Sequence, residues 1–442
     1  MGVSRTLKIG VVVLLATITG GAVWAQREDP VRFDLVPEEG TEFVFGDRRY
    51  GGTMSVTWHV DGLAVIEEVP LDGYLAGIRE VPLSWPIETL RAQAVAARTY
   101  LAWTLDRGRS ADGVRYDFDI CATTQCQVYA GTDVVRAPDG ARWLQAIEST
   151  PNEILVFDGA PAQTLYSSSA GSRTRPVQDI WGNESKPYLV AVDSPEAGFT
   201  PYERWVVTLG VDELRRIFAA AGIRIGPGVR DISVSRPAEG GGPSYLVVDS
   251  DAGRTSIPAT DVRTDMNIFG PVLYPGLLPA RRPSGSRWPQ AILSYTFDVE
   301  FDAGPQVTFP EGLPPSDLPS LASVTFVGEG WGHGVGMSQW GAMAMGEGGA
   351  GYATILGHYY GGLQPVDAGT AAPATVRVGL AWGLSATSLD ATGQFELRAN
   401  GTSIGGYGPG EWLFRLGAGG IGLLPPEVHA AASLAASRLW PR

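Results

Sequence analysis

Leu71–Leu101 reads LDGYLAGIREVPLSWPIETLRAQAVAARTYL, and its periodicity governs how the rest of the chain is parsed. Asp72 stands where it caps a short helix in which Leu75 and Ile78 fall one turn apart. Pro82 and Pro86 enforce an extended break, because proline removes a backbone donor and restricts the residue before it. Pro86 also suits the first turn of a following helix. That helix is predicted from about Ile87 to Leu105, with Ile87, Leu90, Ala94, Ala97 and Leu101 on one apolar stripe. Gln93 lies beside the stripe, and Arg91 and Arg98 share a flank two turns apart. A lone acid, Glu80, stands at the break between the two helical patterns. One carboxyl group on a short proline-bounded turn, framed by fixed polar side chains, suits a general acid. The plain alternative is an ordinary amphipathic helix with solvated arginines.

Outward from this stretch, residues 31–70 alternate apolar and polar. Met54–Val60 and Leu63–Ile66 bracket Asp61-Gly62, a hairpin signal. Beyond it, helices are predicted around Arg142–Ser149 and Thr208–Ala221. Short strands are predicted at Ile154–Phe157, Gln163–Ser167, Ile232–Val234, Tyr245–Val248 and Thr255–Ile257. Residues 271–290 and 303–320 are rich in Pro, Gly and Ser and read as long loops. The pattern is that of an α+β protein: a mixed α/β domain over 31–365, a small α+β insertion at about 206–290, and a β-rich module over 366–442.

The 442 residues and 13 tryptophans are ample for a packed core. The formal net charge of −14 excludes a sequence-independent grip on nucleic acid and a basic face for anionic lipid. Residues 1–25 have the form of an export signal: Arg5 and Lys8, an apolar run from Ile9 to Ile18, and small residues at Val23 and Ala25. An uncleaved N-terminal anchor is the alternative, although the apolar run is short for a span. Both cysteines lie in Cys121-Ala-Thr-Thr-Gln-Cys126. In an exported chain such a pair reads first as a disulfide; a metal site or free thiols are the other readings, and a metal would need two more ligands.

A second informative stretch is VTFVGEGWGHGVGMSQWGAMAMGEGGAGYATILGHYYGG, Val324–Gly362. Glycine recurs at every second position from Gly328 to Gly336, which permits unusual dihedrals and close backbone approach. His333 sits between two of these glycines, with Ser338 and Gln339 following; Ser338 is placed to cap a helix that Gly346 ends. Tyr166-Ser-Ser-Ser-Ala-Gly171 is small and polar, and Tyr166 and Ser168 are candidates to line a cleft. Gly336-Met-Ser338-Gln-Trp340 is close to the nucleophile elbow of a serine hydrolase but lacks its final glycine. The loop also lacks the Lys-Ser/Thr ending of a phosphate-binding loop.

Together these blocks carry a resemblance to a family. EEVPLDGYLAGIREVPLSWPIETLRAQAVAARTY, CATTQCQVYAG, YSSSAG…WG and GEGWGHGVGMSQWGAMAM…YATILGHYYGG resemble, in order, the motifs of the SpoIID/LytB domain, over roughly 40 to 365. That resemblance implies a lytic transglycosylase of peptidoglycan that prefers glycan strands stripped of stem peptides by an amidase. It maps the catalytic acid onto Glu80, with Val81 in place of the motif's Met, and implies no obligatory cofactor. Some members hold zinc near the cysteine segment, but Gln125 replaces their His. Hydrolysis of a glycoside ordinarily needs two carboxyl groups, whereas a transglycosylase that closes a 1,6-anhydro ring uses one as acid and then base. Gln93 and Arg98 are expected to position the acid or the sugar. Tyr166, Ser168, His333, Ser338 and Gln339 are expected to bind glycan. The second reading is a non-catalytic, glycan-binding activator of a cell-wall amidase.

Overall fold

The computed structural model describes residues 23–24, 32–182, 184–304, 322–369, 374–417 and 420–426. The expected export signal over 1–25 lies outside them apart from Val23–Trp24, and so does almost all of the expected loop 303–320. Helices and strands both contribute, in several sheets, as expected for an α+β chain. Among the described residues no helix is long and apolar enough to cross a membrane. The chain divides into two compact units: Met1–Leu83, Leu101–Ile147 and Ala368–Arg442 form the first, Ser84–Tyr100 and Glu148–Asp367 the second.

The first unit is built on the hairpin the sequence announces. Thr53–His59 pairs antiparallel with Gly62–Pro70, in register from Thr53↔Glu68 to His59↔Gly62. The turn itself is Val60–Asp61, one residue earlier than the Asp61-Gly62 signal. Gly62 begins the return strand at φ 138°, and a Cβ there would lie 2.6 Å from the backbone of Gly383. Gly62–Pro70 is buried along most of its length. A strand so placed needs partners on both edges, and the second is Thr375–Leu384, paired from Thr375↔Pro70 to Leu384↔Leu63. Phe395–Ala399 pairs in turn with Arg32–Pro37. Thr375–Leu384 and Phe395–Ala399, expected in a module over 366–442, thus lie in one sheet with the N-terminal strands. The hydrophobic pattern marks strands but carries no record of partners some 300 residues away. A second sheet in this unit contains Gly410–Gly417, Ala386–Ala391 and Phe43–Phe45. Phe395 of the first sheet meets Phe43 at 5.6 Å and Trp412 at 5.3 Å, edge to face, a geometry worth about 1 kcal/mol beyond area burial.

The second unit has two apolar cores. One gathers Ala92, Val95 and Ala96 of the helix Ile87–Asp106 with Leu155, Tyr188, Met337, Ile355 and Tyr359. The other surrounds Trp205, Phe218, Val262, Phe297 and Phe326. It is wider than the expected insertion of 206–290, because Ser323–Gly328 is the central strand between Trp205–Gly210 and Phe297–Asp302. The helix Ile87–Asp106 also departs from its expected single stripe. From Thr89 to Thr99 every residue except Arg91 is buried, Gln93 and Arg98 included. Its alanines make that possible, since small side chains let other elements approach on all sides.

Candidate functional site

Glu80 lies on the turn that leaves the helix Leu71–Ala76, and it is half-buried. The turn runs beside the segment Gln127–Ala130. Ile78 bridges antiparallel to Tyr129, the Ala130 amide donates to the Gly77 carbonyl at 2.8 Å, and the Arg79 amide donates to the Val128 carbonyl at 2.9 Å. The Val128 amide then donates to Glu80 Oε1 at 2.6 Å. The acid is thus held by backbone, in a fixed position, and its neighbour Val81 is buried. The segment that holds it follows directly on the Cys121–Cys126 disulfide, whose Cα atoms are 5.5 Å apart. Of the three readings of the cysteine pair, the disulfide is the one observed. In the chain-entropy account so short a loop contributes about 2 kcal/mol.

Below this segment lies a carboxyl group that sequence reading missed. Glu67 is fully buried on the strand Gly62–Pro70. Its Oε2 accepts from the Tyr129 hydroxyl at 2.7 Å and its Oε1 from the Gly52 amide at 2.8 Å. Burial, the largest influence, raises its pKa to about 7 against the lowering effect of those donors. The folded protein therefore binds a proton here that the unfolded chain has released, between the ordinary carboxylate range and about pH 7. Stability from this group is fully present below pH ~4.5 and is lost as pH rises through 7. The whole window amounts to about 3 kcal/mol. Urea unfolding of wild type and Glu67→Gln at acid and mildly alkaline pH checks this: wild type is expected to lose ground to the variant as pH rises, and a constant gap would refute it. The available signal was an acid directly after the apolar run Leu63–Ile66, within the same strand pattern.

In the second unit the expected residues collect around a short parallel pair, Tyr166–Ser167 with Met337–Ser338. Gly330, Gly332, Gly334 and Gly336 all have positive φ. At Gly336 a Cβ would lie 2.1 Å from the Leu165 carbonyl, so only glycine lets the two segments meet. His333 Nδ1 accepts from the Val335 amide at 3.0 Å, and the ring donates to the Tyr166 backbone. Burial, then the Arg263 charge, lowers its pKa to about 4, which leaves a neutral imidazole with its proton on Nε2. Both nitrogens are engaged with backbone, and the ring packs 5.3 Å from Trp181. That geometry gives His333 the task of fastening the loop. Gln339 Nε2 donates to Gln93 Oε1 at 3.3 Å, so these two expected residues do meet. Arg98 is buried and gives Nη1 to the Glu153 carbonyl at 3.0 Å. Tyr166 and Ser168 keep partial exposure, whereas Ser338 and Gln339 are buried.

Ser338 is fully buried and caps the helix Gln339–Glu347 by accepting from the Gly341 amide. Its hydroxyl donates to Glu196, not to a histidine, which removes the serine-hydrolase reading. Glu196, 1% exposed, is the second residue the sequence did not reveal. Its carboxylate accepts from the hydroxyls of Ser169, Ser194 and Ser338 and from the amides of Ala170 and Gly171. All five donors are neutral. An acid in Asp193-Ser-Pro-Glu196 carries no local pattern that separates it from a solvated turn.

Residues 59–157, which include Glu80, the disulfide and the helix Ile87–Asp106, match the family model described as Stage II sporulation protein, SpoIID. The chain is 28% identical over 326 residues to an uncharacterized protein of Brachyspira hyodysenteriae, covering 73% of each chain. It is 25% identical to the amidase enhancer of Bacillus subtilis, over 64% of this chain but only 38% of that protein. It is 24% identical to the stage II sporulation protein D of Bacillus amyloliquefaciens, over 69% of this chain and 76% of that one. These matches support a relation to the SpoIID/LytB family.

Proposed function

We propose that this protein is an exported peptidoglycan lytic transglycosylase in which Glu80 acts as acid and then as base. Its kinship with sporulation protein D and amidase-enhancer proteins supports a role at the cell wall. The observation that carries the finer reading is the single carboxyl group on a backbone-fixed turn, with Val128 donating to Glu80 Oε1. Glu80 starts protonated and gives its proton to the oxygen bridging N-acetylmuramic acid to N-acetylglucosamine, and the C1–O bond breaks. The muramic 6-hydroxyl then adds to C1 while Glu80, now a carboxylate, takes that hydroxyl's proton. The 1,6-anhydro ring closes, Glu80 is again protonated, and no water is consumed. A single carboxyl group therefore suffices, in contrast to hydrolysis. Tyr166 and Ser168, partly exposed in the second unit, are proposed to contact glycan. Gln93, Ser338 and Gln339 are proposed to support that contact from beneath.

The test is mass spectrometry of the products from glycan strands stripped of peptides by an amidase. The expected ends are anhydro sugars, lighter by one water than hydrolytic ends; ordinary reducing ends would refute the mechanism. The relative named amidase enhancer supports a second reading, a glycan-binding activator of a wall amidase. On that reading Glu80→Gln stimulates an added amidase as well as wild type does.

A further inference from the structure

We propose that Glu67 is a positioning residue for Glu80, acting through Tyr129 and the Val128 amide. The proposal rests on the reading of Glu80 as the acid. The segment Gln127–Ala130 carries a backbone donor to the Glu80 carboxyl, so what fixes this segment helps to fix the acid. Tyr129 is its anchor. The ring is buried, stacks on Tyr74 with centroids 5.3 Å apart, and reaches Glu67 with its hydroxyl. The Tyr74 hydroxyl returns to the same segment by donating to Gln127 Oε1 at 2.7 Å. Arg48 Nη1 holds the Tyr129 carbonyl at 2.6 Å. Gly77 makes room for the anchor, since a Cβ there would lie 2.3 Å from the Tyr129 ring.

Glu67 ends this chain of contacts, and its two oxygens have separate tasks. One accepts from Gly52 and the other from Tyr129. A carboxylate serves both donors at once. A proton on either oxygen competes with one of them, and when it sits on Oε2 the Tyr129 hydroxyl must turn away. Tyr129 is one residue from Val128, so the change reaches the amide that holds the acid. The titratable and charged groups facing Glu67 are Tyr129, Tyr50 and Glu42, with Arg48 and Asp47 acting on Tyr50. Burial places the proton uptake of Glu67 near neutral pH, where the two states exchange.

The experiment compares wild type, Glu67→Gln, Tyr129→Phe and Glu80→Gln on amidase-stripped glycan strands across about pH 5 to 8. It also follows amide exchange of residues 127–130 in the same proteins, corrected for the intrinsic pH dependence. Tyr129→Phe and Glu67→Gln are expected to lower kcat about tenfold at the alkaline end with KM within about twofold, as misplacement of a reacting group does. Wild type is expected to lose Val128 protection as pH falls below neutrality, and Glu67→Gln is expected to show no such change. Wild-type pH profiles and wild-type exchange in both variants would overturn the proposal. Full activity in Glu80→Gln would overturn the reading of the acid instead, and the exchange measurement would still decide whether Glu67 controls the Val128 amide.

Discussion

Glu80→Gln is expected to reduce the formation of anhydro ends by ~10³-fold or more while leaving thermal unfolding unchanged. General acid–base catalysis contributes about 10²- to 10⁴-fold for one proton transfer. On the proposed mechanism one group performs two in succession, with no second carboxyl group to share them. The amide oxygen of glutamine can still accept from the Val128 amide, so the fixed contact at 2.6 Å survives the change. Glu80 is half-buried, and an isosteric change that keeps its hydrogen bond is expected to alter stability by about 0.5 kcal/mol at most. Single-turnover release of anhydro ends, read with a melting curve on the same preparation, separates lost chemistry from lost folding. A variant within tenfold of wild type would remove Glu80 from the mechanism.

The second large effect is expected at Glu196. Glu196→Ala strands three serine hydroxyls and two amides in a region closed to solvent. Each orphaned buried donor costs about 1–3 kcal/mol, although hydroxyls can turn to other acceptors and the costs do not simply add. A loss of about 4 kcal/mol follows, which is exceptional for one residue. Glu196→Gln keeps the volume but offers one acceptor oxygen and a new donor among groups that all donate, so about half that loss is expected. Calorimetry of both variants provides the check, with the transition of the second unit as the readout. A shift equivalent to less than about 1 kcal/mol would mean that the carboxylate does not organise this cluster.

The unequal legibility of the sequence has physical causes. The turn at Glu80 and the helix after it were readable because the prolines that break and start the backbone pattern are local signals. Ser338 as a cap and the glycines of the 330–336 loop were readable for the same reason. Each is fixed by its own backbone, and the structure gives those glycines the positive φ that the spacing suggested. What could not be read was pairing at a distance. The partner of Gly62–Pro70 comes from Thr375–Leu384, and the five donors around Glu196 come from three separate stretches. Burial of charge also left little trace, because Glu67 and Glu196 look like surface acids until their donors are known. His333 is a different case. An unusual sequence setting suggested chemistry, and the structure ties both ring nitrogens to backbone.

The strand Gly62–Pro70 has a consequence for the order in which the chain acquires structure. Its first partner, Thr53–His59, is made moments before it, but its second, Thr375–Leu384, emerges only after nearly the whole second unit has been synthesised. Contacts of such long sequence separation form slowly, because loop closure must precede the reward of pairing. The second unit draws almost entirely on the continuous run Glu148–Asp367 and is complete by then. Until the late strand arrives, Gly62–Pro70 presents an open, apolar edge of the sort that recruits other chains. The interval between residues 70 and 384 is therefore the period in which this chain most needs protection during synthesis.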